Sequence, residues 1–191
     1  MRGFLKAVIF LVLCGYGPVV VAQGPIIIGP GTTIDRSPKS HKQSAKLLEI
    51  GETAPNWKLR DPEGKTHSLS EYRGRIVVMD FWATWCGPCS AVMPRMQKLH
   101  EKFADRGVVV FGVNSWEKSD PVALMKKKLY SYELLLKGEE IAELYKVTIL
   151  PVIYIIGFDG KVIYCHEGMD DKNMSSVIEK YLKAQAIPKA A

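Results

Sequence analysis

The sequence predicts an α/β domain in which a mixed central β-sheet is flanked by helices. Two unbroken apolar runs, residues 76–81 and 108–113, are typical of strands buried on both faces. Apolar residues recur at helical spacing directly after the first run, and a hairpin pattern closes the chain near residues 152–165. Strands that alternate with helices and end in a hairpin indicate a mixed sheet with helices packed on it.

The first half of this domain contains three predicted elements. Asp61-Pro62-Glu63-Gly64 separates two short extended runs, which predicts a hairpin within residues 57–69. The buried strand 76–81 follows, and then a helix over residues 88–104. One face of that helix carries Val92, Met96, Leu99 and Phe103.

The second half begins with the buried strand 108–113, and Pro121 then opens a short helix. Residues 132–136 form a third candidate strand. A further short helix is indicated by apolar residues at positions 141, 144 and 145. The hairpin 152–165 turns at residues 157–160, and Asp170 or Asp171 can cap a closing helix. The apolar face of that helix carries Met174, Val177, Ile178, Tyr181 and Leu182.

The ends of the 191-residue chain have a different composition from its middle. Residues 1–22 combine a basic start, an apolar stretch and small residues before Ala22, which predicts a cleaved signal peptide. A membrane anchor is the alternative, but glycines and a proline interrupt a stretch shorter than the roughly 20 residues that a spanning helix needs. Cys14 follows the bulky Leu13, which disfavours lipid attachment. We expect a flexible linker over 23–48, one domain over 49–184 and a tail over 185–191.

The net charge of +6 does not indicate a nucleic-acid partner. The excess lies in the two ends, since residues 49–184 contain nineteen basic and nineteen acidic residues. The predicted domain is therefore neutral, and we expect no nucleic acid among its partners.

Cys86 and Cys89 are separated by Gly87 and Pro88, where the first buried strand gives way to a helix. Free N–H groups and the helix dipole at this point favour a thiolate, so Cys86 is the candidate nucleophile and Cys89 the resolving thiol. A bridge across so short a loop adds little stability, which disfavours a structural staple. A copper or zinc site is the main alternative, although the four histidines are scattered singly. A thiol peroxidase is a third option, but the chain lacks the Thr-x-x-Cys pattern.

Asp80 is the single acid within the first apolar strand. A buried carboxyl group there would have a raised pKa and could take the proton from Cys89 as Cys89 attacks. An exposed acid at a turn is the alternative.

These residues resemble the thioredoxin superfamily. The resemblance rests on FWATWCGPC at 81–89, Asp80, Pro94 and Pro151, and it covers residues 49–184. The wider frame, from APNWKLRDPEGK to IIGFDGKVI, is similar to the exported thiol-disulfide oxidoreductases of the TlpA/ResA type. This resemblance implies a thioredoxin fold with an N-terminal β-hairpin and a TlpA-like insertion.

The same resemblance implies roles for individual residues. Cys86 attacks, Cys89 resolves, and Asp80 matches the buried acid of thioredoxins. Trp85, Gly87 and Pro88 flank the cysteines on the substrate side. Pro151 matches a cis-proline that faces the cysteines, and Leu150 before it offers its backbone to a bound peptide. We expect the redox-active Cys86–Cys89 disulfide to serve in place of a cofactor, and we expect no metal.

Protein thiols and disulfides are the substrates that the resemblance implies. Gly-Pro between the cysteines favours a reductase, which in an exported, periplasmic protein requires an electron donor such as a membrane-bound partner. Two positions depart from the ResA pattern, since Asp80 stands where Asn is common and Val92 where a glutamate is common. Cys165 is an addition that we expect to be a buried small hydrophobe, with a third redox thiol or a metal ligand beside His166 as alternatives.

Overall fold

The computed structural model describes residues 46–168 and 170–186. The predicted signal peptide, Cys14 and linker residues 23–45 lie outside the described residues, as do tail residues 187–191. Within the described part, no helix combines the length and the apolarity needed to span a bilayer.

The described residues contain seven strands and four α-helices. The strands are β1 (Lys58–Arg60), β2 (Thr66–Ser68), β3 (Ile76–Trp82), β4 (Val108–Asn114), β5 (Glu133–Leu135), β6 (Val152–Ile156) and β7 (Val162–Glu167). The helices are α1 (Cys89–Phe103), α2 (Pro121–Lys128), α3 (Glu139–Leu144) and α4 (Asp171–Ala186). Short 3₁₀ turns occupy Leu69–Tyr72 and Ala104–Arg106.

The central sheet has five strands in the order β5-β4-β3-β6-β7. Strands β3, β4 and β5 run parallel, whereas β6 and β7 run antiparallel to their neighbours. The predicted mixed sheet is therefore confirmed, and β1 and β2 form a separate antiparallel hairpin. Both central strands are buried along their whole length, as their unbroken apolar sequence predicts.

The core lies in two layers, one on each face of the sheet. One layer packs α1, α2 and α4 on the sheet and contains Cys86 and Cys89. The other layer packs α3 and the N-terminal hairpin, with Trp57, Phe81, Phe111 and Tyr145 at its centre. Alternate residues of β3 serve the two layers, since Val78 and Trp82 face the first and Met79 and Phe81 the second.

Three features of the helices and domain boundaries differ from the sequence predictions. Leu144 was expected to face the core but is 51% exposed, because α3 buries only Ile141 and Ala142. Leu48, the last residue of the predicted linker, is buried, and its backbone N–H donates to the Tyr154 hydroxyl. Helix α4 continues through Ala186, two residues beyond the predicted boundary at 184.

Candidate active site

The two cysteines lie at the carboxyl end of β3, where the chain turns into α1. They form a disulfide with a Cα–Cα separation of 5.3 Å. Cys86 keeps 6% of its surface exposed, whereas Cys89 is wholly buried. Cys86 therefore carries the outer sulfur of the pair and Cys89 the inner one.

The start of α1 supplies a hydrogen bond to the outer sulfur. The backbone N–H of Cys89 donates to Cys86 Sγ over 3.2 Å. Pro88 precedes the helix with helical dihedrals, and the Cys86 N–H donates to Ala83 O, which closes the turn before it. A free N–H at a helix start stabilises negative charge on a neighbouring sulfur. This is the environment that the position of Cys86 between a strand and a helix predicts.

Asp80 is two residues from both Val78 and Trp82 along β3, so its side chain faces the layer of core that contains both cysteines. It is paired in the sheet with Gly112 on one side and Ile153 on the other, and it is completely buried. Neither of its carboxylate oxygens has a hydrogen-bond partner among the described residues. Burial raises the pKa of Asp80 to about 8, so the group is mostly protonated at neutral pH.

Gly112, the partner of Asp80 in the sheet, leaves space for two large side chains to pack beside Asp80. A Cβ atom at this position would lie 2.8 Å from Trp82 Nε1 and 2.9 Å from Tyr132 Cε2. Burial, followed by the charge of Asp80, raises the pKa of Tyr132. The indole of Trp82 and the phenol of Tyr132 therefore lie beside the acid.

Leu150 and Pro151 reach the same end of the sheet as the cysteines. The bond between them is cis, as the resemblance implies. Val152 pairs with Phe81, so Pro151 lies beside the end of β3, from which the cysteine loop departs. Leu150 is partly buried, and its neighbour Ile149 is 51% exposed.

Trp85, next to Cys86, is 50% exposed, and its ring is held by two contacts with the loop after β4. Its indole N–H donates to Trp116 O over 2.7 Å, and Lys118 Nζ lies 5.1 Å from the centre of its ring. Gly87 and Pro88 are exposed between the cysteines. The structure thus brings Trp85, Gly87, Pro88, Leu150 and Pro151 to the end of the sheet that carries the disulfide.

Sequence reasoning missed one contact of this site. Thr84, two residues before Cys86, donates both its backbone N–H and its hydroxyl to the carboxylate of Glu117. Glu117 lies in the loop after β4, 33 residues away along the chain. No spacing pattern marks a polar loop residue of this kind, so only the fold could reveal it.

Cys165 does not join the site. It lies in β7 opposite Tyr154, packs on the face of the sheet away from Cys89, and its thiol donates to Leu48 O over 3.2 Å. It is partly exposed, not fully buried as expected, and burial raises the pKa of its thiol. His166 is the next strand residue and therefore points to the other face. Among the residues that the structure describes, no three His, Cys, Asp or Glu side chains lie close enough to hold a metal.

Comparison with known proteins agrees with this geometry. Residues 50–165 match the AhpC/TSA family. The chain belongs to the AhpC/TSA family of the thioredoxin superfamily. Within this family it is similar to the thiol-disulfide oxidoreductase ResA of Bacillus thuringiensis subsp. konkukian (strain 97-27), with 32% identity over 187 residues and 95% of each chain covered.

Two further relatives support the same assignment. ResA of Bacillus cereus (strain ATCC 10987 / NRS 248) is 37% identical over 141 residues, which are 71% of this chain and 78% of that protein. The solved exposed lipoprotein thioredoxin Etrx1 of Streptococcus pneumoniae strain TIGR4 superposes with a TM-score of 0.56 at 28% identity, over 66% of this chain and 99% of that one. The protein is therefore a thiol-disulfide oxidoreductase with a thioredoxin fold, as the sequence predicts.

Proposed function

We propose that the protein is an exported reductase of protein disulfides in which Cys86 is the nucleophile and Cys89 the resolving thiol. The observation that carries this proposal is the pairing of the outer sulfur with the first N–H of α1. A thiol with an ordinary pKa near 8.5 is about 3% ionised at pH 7, and one shifted to about 7 is about half ionised.

The reaction transfers two electrons from the reduced cysteine pair to the substrate. The Cys86 thiolate attacks one sulfur of the substrate disulfide, forms a mixed disulfide and releases the other substrate sulfur as a thiolate. Cys89 then loses its proton and attacks Cys86 Sγ, which re-forms the Cys86–Cys89 bond and releases the second substrate sulfur. The substrate leaves as a dithiol and the protein is left oxidised, so no cofactor beyond the disulfide is needed.

Asp80 is the proposed acceptor of the Cys89 proton. With a pKa of about 8, about one Asp80 in ten is ionised at pH 7 and able to accept a proton. Because Asp80 and Cys89 are both completely buried, this proton transfer would take place away from solvent.

Export is supported by the basic and apolar leader of residues 1–22 and by the likeness to a thioredoxin named as an exposed lipoprotein. An exported reductase must be re-reduced outside the cytoplasm, and we propose a membrane-bound electron donor for this step. Trp85, Leu150 and Pro151 form the proposed contact surface for the substrate, because they lie at the end of the sheet from which the cysteine loop departs.

Two cysteine variants test the proposal. Cys86→Ser should abolish reduction of insulin disulfides, because the attacking sulfur is lost. Cys89→Ser should accumulate mixed disulfides with substrate proteins, which appear as reductant-sensitive bands on non-reducing gels.

Cys165→Ser is the matched control, since that cysteine lies on the opposite face of the sheet and should retain full turnover. Turnover that survives in both active-site variants would refute the proposal. Tight stoichiometric zinc or copper in the reduced protein with negligible turnover would favour the metal-carrier alternative.

A further inference from the structure

The loop that carries Cys86 is tied to the loop after β4 by one carboxylate. The Oε2 atom of Glu117 accepts the Thr84 backbone N–H over 3.0 Å and the Asn114 side-chain amide over 2.6 Å. The Oε1 atom accepts the Thr84 hydroxyl over 2.5 Å and the backbone N–H groups of Lys118 and Ser119 over 2.7 and 2.9 Å. Oε2 thus joins Thr84 to the end of β4, and Oε1 joins Thr84 to the loop that follows β4.

Glu117 is not suited to acid–base chemistry. Partial burial would raise its pKa, but the hydrogen bonds from Thr84, Asn114 and the loop outweigh burial and hold the pKa at about 2. The carboxylate therefore stays ionised at neutral pH. A carboxylate that accepts five hydrogen bonds is held in one position.

The loop around Glu117 is itself anchored to the rest of the fold. The Trp116 N–H donates to Glu139 Oε1, and the Gly138 N–H donates to Asn114 O. A Cβ atom at Gly138 would lie 2.4 Å from Val113 Cγ1 and 2.7 Å from Ser115 Oγ, so the start of α3 is packed directly against the end of β4. Glu117 thus connects the cysteine loop to a rigid support.

The hydrogen bonds of Thr84 to Glu117 affect the position of Cys86, because Thr84 and Cys86 belong to the same turn. Cys86 N–H donates to Ala83 O, so Thr84 lies within the turn that sets the position of Cys86. The same turn places Cys86 Sγ opposite the Cys89 N–H. A hydrogen bond to a thiolate depends on its length and direction, so movement of Thr84 weakens the stabilisation of the Cys86 thiolate.

From these contacts we propose that Glu117 is a positioning residue that holds Cys86 Sγ against the first N–H of α1 through Thr84. The inference rests on the proposed function, in which the Cys86 thiolate is the attacking group. It adds a residue of a different loop that does not touch the reacting atoms.

Three variants separate position from charge. Glu117→Asp keeps the charge and can keep the bonds within its own loop, but it is one methylene too short to hold Thr84. Thr84→Val keeps Glu117 and removes only the hydroxyl donor. Glu117→Gln keeps the length and removes the charge. Glu179→Gln is the matched control, because Glu179 is another hydrogen-bonded carboxylate with a pKa of about 2, bound to Arg106 away from the site.

The measurement is the rate of alkylation of the reduced protein by iodoacetamide between pH 5 and 9, with mass spectrometry to identify modified Cys86, and with a melting temperature for each variant. We expect Glu117→Asp and Thr84→Val to raise the pKa of the Cys86 thiol and to slow its alkylation at pH 6 by about three- to tenfold. Glu179→Gln should match the wild type.

The outcomes distinguish failure of this inference from failure of the proposed function. Wild-type Cys86 that titrates as an ordinary thiol would refute the proposed function itself. A low wild-type pKa that is unchanged in Glu117→Asp and Thr84→Val would overturn only the positioning role. A lower pKa in Glu117→Gln with no change in the other two variants would show that Glu117 acts by charge alone, which also overturns it.

Discussion

Asp80 places a carboxyl group in a strand with no exposed surface and no hydrogen-bond partner among the described residues. Such a group folds in its neutral form, because burial of a charge without a partner costs several kcal/mol. Its raised pKa therefore couples the stability of the protein to pH. The same property makes it a candidate proton acceptor for Cys89.

Asp80→Asn should remove this coupling. Between about pH 4 and pH 8 the unfolded carboxyl group is ionised while the folded one keeps its proton, so the unfolded state binds fewer protons. The free energy of unfolding of the wild type should thus fall with rising pH, by about 1.4 kcal/mol per pH unit from this group. Urea unfolding of the oxidised proteins at pH 5 and pH 7 tests this. The free energy of unfolding of Asp80→Asn, relative to that of the wild type, should be about 2–3 kcal/mol higher at pH 7 than at pH 5. A constant difference at the two pH values would show that Asp80 is not buried in its neutral form.

At the scale of single residues, sequence reasoning succeeded where a residue contrasts with its neighbours. Asp80 stands out within an apolar run, and burial follows from that run. Glu117 has no such contrast, because it lies in a polar loop and its partner Thr84 is brought close only by the parallel pairing of β3 and β4. A contact of this kind depends on tertiary structure and leaves no local pattern.

At the scale of elements, the packing of side chains on β4 depends on the absence of a side chain at Gly112. The strand is otherwise apolar, and Trp82 and Tyr132 occupy the space that a Cβ atom at this position would need. The close approach of these rings to the sheet next to Asp80 depends on this glycine.

Gly112→Ala should therefore destabilise the protein. The added methyl group would overlap the Trp82 and Tyr132 rings, and overpacking of a core typically costs about 1–3 kcal/mol. Urea unfolding should detect this loss. Gly87→Ala is the control, since no atom beyond its chain neighbours lies within 4 Å of a Cβ at that position, and its stability should stay within about 0.5 kcal/mol of the wild type. Equal stability of the two variants would mean that the rings can move aside.

Element predictions held best where the pattern was long. The two seven-residue strands and the fifteen-residue α1 were placed to within one or two residues. Helix α3 has six residues, fewer than two turns, and its spacing did not determine which side faces the core. The expectation for Leu144 was wrong for this reason, since Leu144 is exposed, while Tyr145, just past the helix end, is buried.

At the scale of the whole molecule, the site depends on the sheet topology, which brings segments distant in sequence to one end of the sheet. The cysteine loop follows β3, and the cis Leu150–Pro151 bond precedes the antiparallel β6. The sequence alone indicated this convergence only through the family resemblance. Composition and periodicity predict strands and helices but not the order of strands in a sheet.

The reduction potential is a property of this whole environment and tests the proposed direction of electron flow. Thioredoxin has a potential of about −270 mV and the oxidant DsbA about −120 mV. We expect a value nearer the first, determined by equilibration with glutathione buffers followed by alkylation. Cys165→Ser should give the same potential, because Cys165 lies on the other face of the sheet. A value near −120 mV would contradict a reductase.

The central claim is that the start of α1 stabilises the thiolate of Cys86. The most direct test is the absorbance of thiolate at 240 nm during a pH titration of the reduced protein in a Cys165→Ser background, with the additional Cys86→Ser variant subtracted. The account predicts that Cys86 is about half ionised near pH 7. A Cys86 thiol that remains protonated above pH 8 would contradict it.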